Sequence, residues 1–269
     1  MMHPFLNIAI RTARKTGNLI IKIYENLDTI NENSYIISHV LKKVEKIIID
    51  VIHQSYPQHE IIFDIYHPFN INTSNIQWII NPINGITNFS KKFPHFALAI
   101  AIRVKGQTEI AVVYDFMRNE LFTAVRGQGT KLNGYRLRSS RTNLIKNITN
   151  MLFATDLSAI INHPKSNDYI RIIKNLLRQG VNLRSTGSDI LDLAYVAAGR
   201  FNGYFNISTS TNNLPLSSLI CGKLLIRESG ALVTDYGSYK EGVTHNDHLL
   251  AGSNSYILKL LIKAFGSEY

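Results

Sequence analysis

Ile76-Gln77-Trp78-Ile79-Ile80 runs into Asn81-Pro82-Ile83-Asn84-Gly85-Ile86-Thr87-Asn88-Phe89, and the reading of the whole chain turns on this stretch. An apolar run that suits a buried strand delivers two short polar side chains, three apart, into a glycine turn. That is the layout of a metal-dependent phosphatase loop. Yet both polar positions are amides. Hard divalent cations such as Mg²⁺ take anionic oxygens in near-octahedral array, usually carboxylates together with substrate phosphate. Asparagine keeps an oxygen and drops the charge, so the loop has the outline of an active site without its chemistry.

Upstream of the loop the pattern is helical. Pro4 suits a first helical turn, and Phe5, Ile8, Ala9, Ala13, Ile20, Ile21 and Tyr24 follow a 3.6-residue period. A second helix is predicted from about Tyr35 to Ser55, with Ile36, Val40, Val44, Ile47, Ile48, Val51 and Ile52 inward and Pro57 beyond its end. The basic residues of both helices read as solvated faces. Around and after the loop the chain reads as sheet. Short apolar or alternating runs lie at Glu60 to Asp64, Gln77 to Ile80, Ala97 to Val104, Glu109 to Tyr114 and Glu120 to Ala124, with turns at Gly106 and Asn119. Gly127, Gly129 and Gly134 punctuate the exit.

The second half opens with a weaker strand at Met151 to Ala154. Helices are predicted near Asn167 to Arg178, Ser188 to Ala198, Leu216 to Ser229 and Ser255 to Ala264, and strands at Asn202 to Ile207 and Ala231 to Thr234. Ser208 to Asn213 is polar, low in complexity and read as a loop. Helices, then sheet, then mixed units imply stacked α/β layers. The expectation is one domain over 1–269 made of two fused α/β halves, joined near 145–155.

With 269 residues, 45% of them hydrophobic, the chain can bury a substantial core. It lacks the roughly 18 consecutive apolar residues of a membrane span, and its start has no basic segment ahead of a continuous apolar run. A single cysteine, Cys221, excludes an internal disulfide framework and fits a reducing, cytoplasmic setting. The formal charge of +10 permits an acidic partner, but the basic residues are scattered, with Lys42-Lys43, Lys91-Lys92 and Arg136 to Arg141 the densest spots. His39, His53, His59, His67 and His95 show no metal-ligand spacing and read as structural. Gly127-Gln128-Gly129 lacks a strand-turn-helix context and suits a turn better than a nucleotide loop.

Several motifs in order resemble one family, the inositol monophosphatases, and within it the bacterial SuhB branch. They are Ser55 to His59, Gln77-Trp78, Pro94 to Ala97, and the block from Val113-Tyr114-Asp115 through Met117 to Ala124, Gly127 to Gly129 and Leu132 to Gly134. Thr186 to Ser188, Leu191 to Arg200 and Leu224 to Gly230 complete the likeness over nearly the whole chain. The resemblance implies an α/β fold of layered α-β-α-β-α type, usually dimeric, with an active site at the junction of the layers.

In that family a Glu, an Asp, a backbone carbonyl and a second Asp bind Mg²⁺, joined by a later Asp in a Trp-Asp motif. The matching positions here are Asp64, Asn81, Ile83, Asn84 and Ser218, and the acidic neighbour of the first becomes Ile65. The Thr that holds the nucleophilic water matches Ile86, and the Asp that orients that Thr matches Leu41. The mobile segment around that Asp matches Asn31 to Ser38 here, and the family's lysine and acidic residues are not kept at their places in it. Asp189 stands where the family has a small Ala beside the inositol ring, which puts an anion near an anionic substrate.

Hydrolysis of a phosphate ester needs metal charge at the phosphate and a positioned nucleophile. If each loss costs a few kcal/mol, the sum is on the order of 10 kcal/mol, the scale of an enzyme's whole advantage. The expectation is therefore no catalytic residue, no metal and no cofactor. Restoring carboxylates at Leu41, Ile65, Asn81, Asn84 and Ser218 would take the charge from +10 to +5, so half the basic excess accompanies the loss of the site.

Members of the SuhB branch are known as partners of Nus factors and RNA polymerase in ribosomal RNA antitermination and ribosome maturation, a role that needs a surface. The resemblance implies NusA and the RNA polymerase antitermination complex as partners, and it leaves open contact with ribosomal RNA and a homodimer. The competing readings are a residual Mg²⁺-dependent phosphatase built on Asp64 with the Asn81 and Asn84 amides, and a relic with no retained function.

Overall fold

The computed structural model describes residues 3–26, 34–64, 75–139, 148–161, 166–207, 214–236 and 248–266. Its first half contains α1 (Pro4–Asn26), α2 (Ser34–Ser55), β1 (Glu60–Phe63), β2 (Ile76–Asn84), α3 (Ile86–Ser90), β3 (Ala97–Val104), β4 (Gln107–Asp115), β5 (Glu120–Val125), β6 (Gly129–Leu132) and β7 (Tyr135–Arg136). The second half adds β8 (Leu152–Thr155), α4 (Ser158–Ile161), α5 (Ser166–Arg178), β9 (Asn182–Arg184), α6 (Asp189–Ala197) and β10 (Gly203–Ile207). It ends with α7 (Leu216–Ser229), β11 (Leu232–Tyr236), β12 (His248–Gly252) and α8 (Ser255–Gly266). Ile65, His67, Asn31 to Asn33, Arg141 and the loop Ser208 to Asn213 lie outside the described residues.

Strands β1 to β7 form one sheet in sequence order, with β1 parallel to β2 and every other neighbour antiparallel. The second sheet runs β11-β12-β10-β8-β9. Strands β2, β3 and β4 of the first sheet carry apolar residues on both faces, because each face is covered by helices. Trp78, Ile80, Leu98, Ile100, Ile102 and Val112 pack with Leu6, Ala9, Ala13 and Ile20 of α1 and Val44 and Ile48 of α2. Their neighbours in sequence point the other way. Ile79, Ala97, Ala99, Ala101, Ala111, Val113 and Phe122 meet α6 and α7 in the middle of the molecule.

The far side of that middle helical layer rests on the second sheet through Ala154, Tyr204 and Ala251. Phe153, Phe205, Ile207 and Leu250 face outward from that sheet onto α5 and α8. The order is therefore helix, sheet, helix, sheet, helix. Alanines on the inner face of the first sheet let the middle helices approach closely. Within that layer Gly222 of α7 leaves room for Leu193 of α6, where an added Cβ would lie 2.4 Å from Leu193 Cδ1.

Most predicted elements stand within a residue or two of their expected bounds. The exceptions are instructive. Strand β2 extends through Asn84, so the expected loop is strand to its last amide. Arg14 was read as part of a solvated face, but it donates to the Tyr114 hydroxyl at 2.9 Å, also bonds Asn119, and lies over the Tyr114 ring. The Gly127 to Gly129 segment is a turn that delivers β6.

Candidate active site at the end of strand β2

A regular strand sends residues three apart to opposite faces. Asn81 and Asn84 nevertheless share one face, because the ladder slips between them. Asn81 pairs with Ala99 and Asn84 with Ala97, so the step from Asn81 to Asn84 on β2 opposes a step of one residue fewer on β3. Pro82, which has no N–H to give the ladder, sits inside this bulge. Ile83 drops into the cluster beneath α1 and α2. Both amides therefore face the middle helical layer, and Gly85, at φ 89°, turns the chain into α3.

The first turn of α7 closes the site. Asn84 Nδ2 donates to Ser218 Oγ at 3.1 Å. The Asn84 amide oxygen accepts from Ser188 Oγ at 2.8 Å, and the Ile190 N–H lies 3.5 Å away. Asp64, just past β1, takes the Ser217 N–H on one carboxylate oxygen at 2.6 Å. Burial pushes the Asp64 carboxyl above its usual range, against the opposing pull of Ser217. Four of the singled-out positions, Asp64, Asn81, Asn84 and Ser218, thus meet at the seam between the first sheet and α7, with the Ile83 backbone in the bulge between the amides.

The donor set can be tested against Mg²⁺. It presents one carboxylate, two amides, a hydroxyl and the Ile83 carbonyl, and Asn84 and Ser218 are already bonded to each other. Asp64 Oδ1, Asn81 Oδ1 and Ser217 Oγ are buried without a hydrogen-bond partner, and only the first carries charge. Among the described residues no group of three or more His, Cys, Asp or Glu side chains could hold a metal ion. These residues do not fit a hard divalent cation.

The positions matching the water-holding pair are no better equipped. Leu41 of α2 and Ile86 of α3 both pack, partly buried, into the apolar cluster beneath the first helical layer. Neither offers a polar atom to hold water. Asp189, beside the site at the start of α6, turns one oxygen to the Tyr204 hydroxyl at 2.9 Å. Burial pushes its carboxyl up to about 6, and nearby Asp156 adds to the rise while the Tyr204 bond opposes it.

Two other singled-out residue types are structural here. Trp78 Nε1 donates to His59 Nδ1 at 3.0 Å, and His59 stacks on Tyr56. Cys221 is fully buried in the middle layer, where burial pushes its thiol up. The reading from sequence missed Ser188 and Ser217, whose partners lie 104 and 153 residues away in the chain. The one signal that could have found them is the run of small hydroxyl residues at helix starts facing the amides.

Comparison with other proteins agrees with this architecture. The profile of the inositol monophosphatase family matches residues 1–268. The Nus factor SuhB of Escherichia coli (strain K12) is 44% identical over 272 residues, covering 99% of this chain and 97% of that protein. The Nus factor SuhB of Buchnera aphidicola subsp. Schizaphis graminum is 40% identical over 275 residues, covering 100% of this chain and 98% of that one. Among solved structures, the extragenic suppressor protein suhB from Bartonella henselae superposes with TM-score 0.78 at 29% identity, covering 98% of this chain and 100% of that chain. The inositol monophosphatase from Anabaena (Nostoc) sp. PCC 7120 superposes with TM-score 0.76 at 25% identity, covering 98% and 95%.

Proposed function

The chain belongs to the SuhB branch of the inositol monophosphatase family, and we propose that it serves as a Nus-type factor rather than as a phosphatase. Its task in this reading is ribosomal RNA transcription antitermination and ribosome maturation in the cytoplasm, through NusA and the RNA polymerase antitermination complex. No helix among the described residues is long and apolar enough to cross a membrane, in keeping with that setting.

The observation that carries the reading is the direct bond between Asn84 and Ser218. Two positions that would share a cation in a catalytic relative hold each other instead. Such a bond replaces ion-mediated cohesion with protein-to-protein cohesion, so the scaffold needs no metal to close the seam between its first sheet and α7. Selection on a scaffold leaves the packing motifs and releases the ligands, which is the pattern at Asp64, Asn81, Asn84 and Ser218.

One sample answers both halves of the proposal. Purified protein is titrated with Mg²⁺ in a calorimeter and offered to immobilised NusA. NusA capture with no Mg²⁺ heat is the expected result. Phosphate release from inositol-1-phosphate at millimolar Mg²⁺, abolished by Asp64→Ala, would overturn it, as would failure to bind NusA or to join a polymerase antitermination complex.

A further inference from the structure

Away from the β2 site, a groove of about 460 Å³ lies between α1 and the outer faces of β5 and β6. We propose that it binds a free single-chain amphiphilic anion, in the simplest case a fatty acid of medium length. The carboxylate faces Lys131 and Arg136, and the tail lies against Leu6, Ile10, Leu121 and Val125. The inference goes beyond the antitermination reading and does not depend on it.

The groove exists because the first helical layer stops short of the sheet's end. Among the described residues, no side chain of β6 or β7 joins the apolar cluster that α1 and α2 form on this face. Leu121, Thr123 and Val125 are alternate residues of β5, so they share the face that looks onto the open side of α1. Leu6 and Ile10, four apart on α1, make the opposite wall. Leu121 and Val125 lie about 14 Å apart along the strand, which suits an extended chain of about ten carbons. Apolar walls with a few polar groups at one side are the usual form of a small-molecule site.

The polar side is a row of three residues across three strands. Thr123 of β5 stands opposite Lys131 of β6, which stands opposite Arg136 of β7. Like charges at directly opposed positions repel, yet neither cation has a carboxylate partner among the described residues. No acid lines the groove. The acids close by are engaged elsewhere: Glu120 with Arg200, Glu109 with Arg126, and Glu228 with the N–H groups of Gly127 and Gly129. Arg136 is seated over Gly129, where an added Cβ would lie 3.1 Å from its Nε. Thr123 is only 7% exposed, and its hydroxyl has no hydrogen-bond partner among the described residues.

These features select the ligand class together. An inorganic anion would leave the apolar walls in water, and an uncharged chain would leave the two cations repelling each other. A carboxylate between them turns the repulsion into attraction. The guanidinium fork matches both of its oxygens, and the ammonium and the idle hydroxyl supply further donors.

The test is isothermal titration calorimetry of the full-length protein with decanoate, kept below the concentration at which it self-associates. Wild type should bind it. Acetate, which lacks the tail, and decyltrimethylammonium, which reverses the charge, should give no heat. Decanol should bind about tenfold more weakly or worse, for want of a charge-assisted bond. The K131E variant should lose about tenfold or more in decanoate affinity. It should also melt at a higher temperature than wild type, because it replaces an opposed like-charge pair with an attractive one. The K131E/R136E variant should lose decanoate and gain decyltrimethylammonium. Ile10→Trp, which fills the groove from its partly buried wall, should abolish binding, and Ile10→Val should keep it. If Ile10→Trp is unfolded by circular dichroism, the charge variants, which lie on the exposed side, carry the test. No decanoate heat with wild type, equal affinity for decanol, or undiminished binding by the charge variants would each overturn the assignment. So would displacement of decanoate by phosphatidylglycerol vesicles, which would make a membrane surface the source of the anion. The NusA capture described above is read without decanoate, so either idea can fail alone.

Discussion

Two buried polar clusters sit at one end of the first sheet, on either side of Ala97 of β3, and they are finished to different degrees. At the β4–β5 turn, Asp115 is fully buried and every bond it needs is supplied by the chain. Its Oδ1 accepts the N–H groups of Met117 and Arg118 at 3.1 Å each, and its Oδ2 meets the Tyr195 hydroxyl at 3.3 Å and the Arg118 guanidinium at 3.2 Å. At the end of β2, by contrast, Asn84 is bonded but Asn81 Oδ1 and Asp64 Oδ1 are not. A carboxylate that serves the fold is satisfied by the fold. At the end of β2 the fold leaves two buried oxygens without a partner. Buried polar atoms without partners are costly, so the end of β2 is less completely bonded than the Asp115 turn.

That difference can be broken by mutation. Asp115→Ala should cost the most, about 4 kcal/mol, because it strips a buried charge from four partners at once. Urea denaturation would measure it, and a loss near zero would erase the contrast. Asn84→Ala should cost about 2 kcal/mol by the same measurement, for two neutral hydrogen bonds. Asn81→Ala should be nearly silent, within about 0.5 kcal/mol, because the oxygen it removes had nothing to lose. Mg²⁺ at millimolar concentration should leave the melting temperature of the wild-type protein unmoved. An N81D/N84D/S218D variant should be raised by the ion, since a ligand that binds only the folded state stabilises it.

Asp189 sharpens the comparison through pH. Burial holds its folded-state carboxyl near 6, above the usual value of about 4 for an unfolded chain. Between those values the folded state binds more protons than the unfolded one, so stability falls as pH rises through that window. Asp189→Asn, which keeps an acceptor for the Tyr204 hydroxyl, should therefore be more stable than wild type above pH 6. The two should converge near pH 4. Parallel denaturation curves at both ends of the window check it, and an equal difference at both would exclude titration of Asp189 as its source.

The fold was largely readable because its strongest signals are local. The 3.6-residue period of α1 and α2 and the unbroken apolar run of β3 need no distant partner to be recognised. Strand β12 was invisible for the opposite reason. Its five residues make sense only between β10 and β11, a pairing that no short-range pattern encodes. The short β6, β7 and β9, and the brief α3 and α4, were lost among glycine and polar punctuation. At the site, Asn81 and Asn84 announced themselves by type and spacing, and the family resemblance added Asp64, Ser218, Leu41 and Ile86. What could not be read was that Ser188 and Ser217 fill the gap, since each bond joins residues that folding alone brings together. Nor did spacing reveal that a bulge is needed to turn both amides the same way.

Cys221 gives the middle helical layer a built-in clock. It is the chain's single thiol, it lies at the centre of α7 with no exposed surface, and burial disfavours its reactive thiolate. A thiol reagent can reach it only when α7 lifts from the first sheet, so the rate of its modification under native conditions reports how often that seam opens. No label need be introduced to watch the two halves of this scaffold come apart.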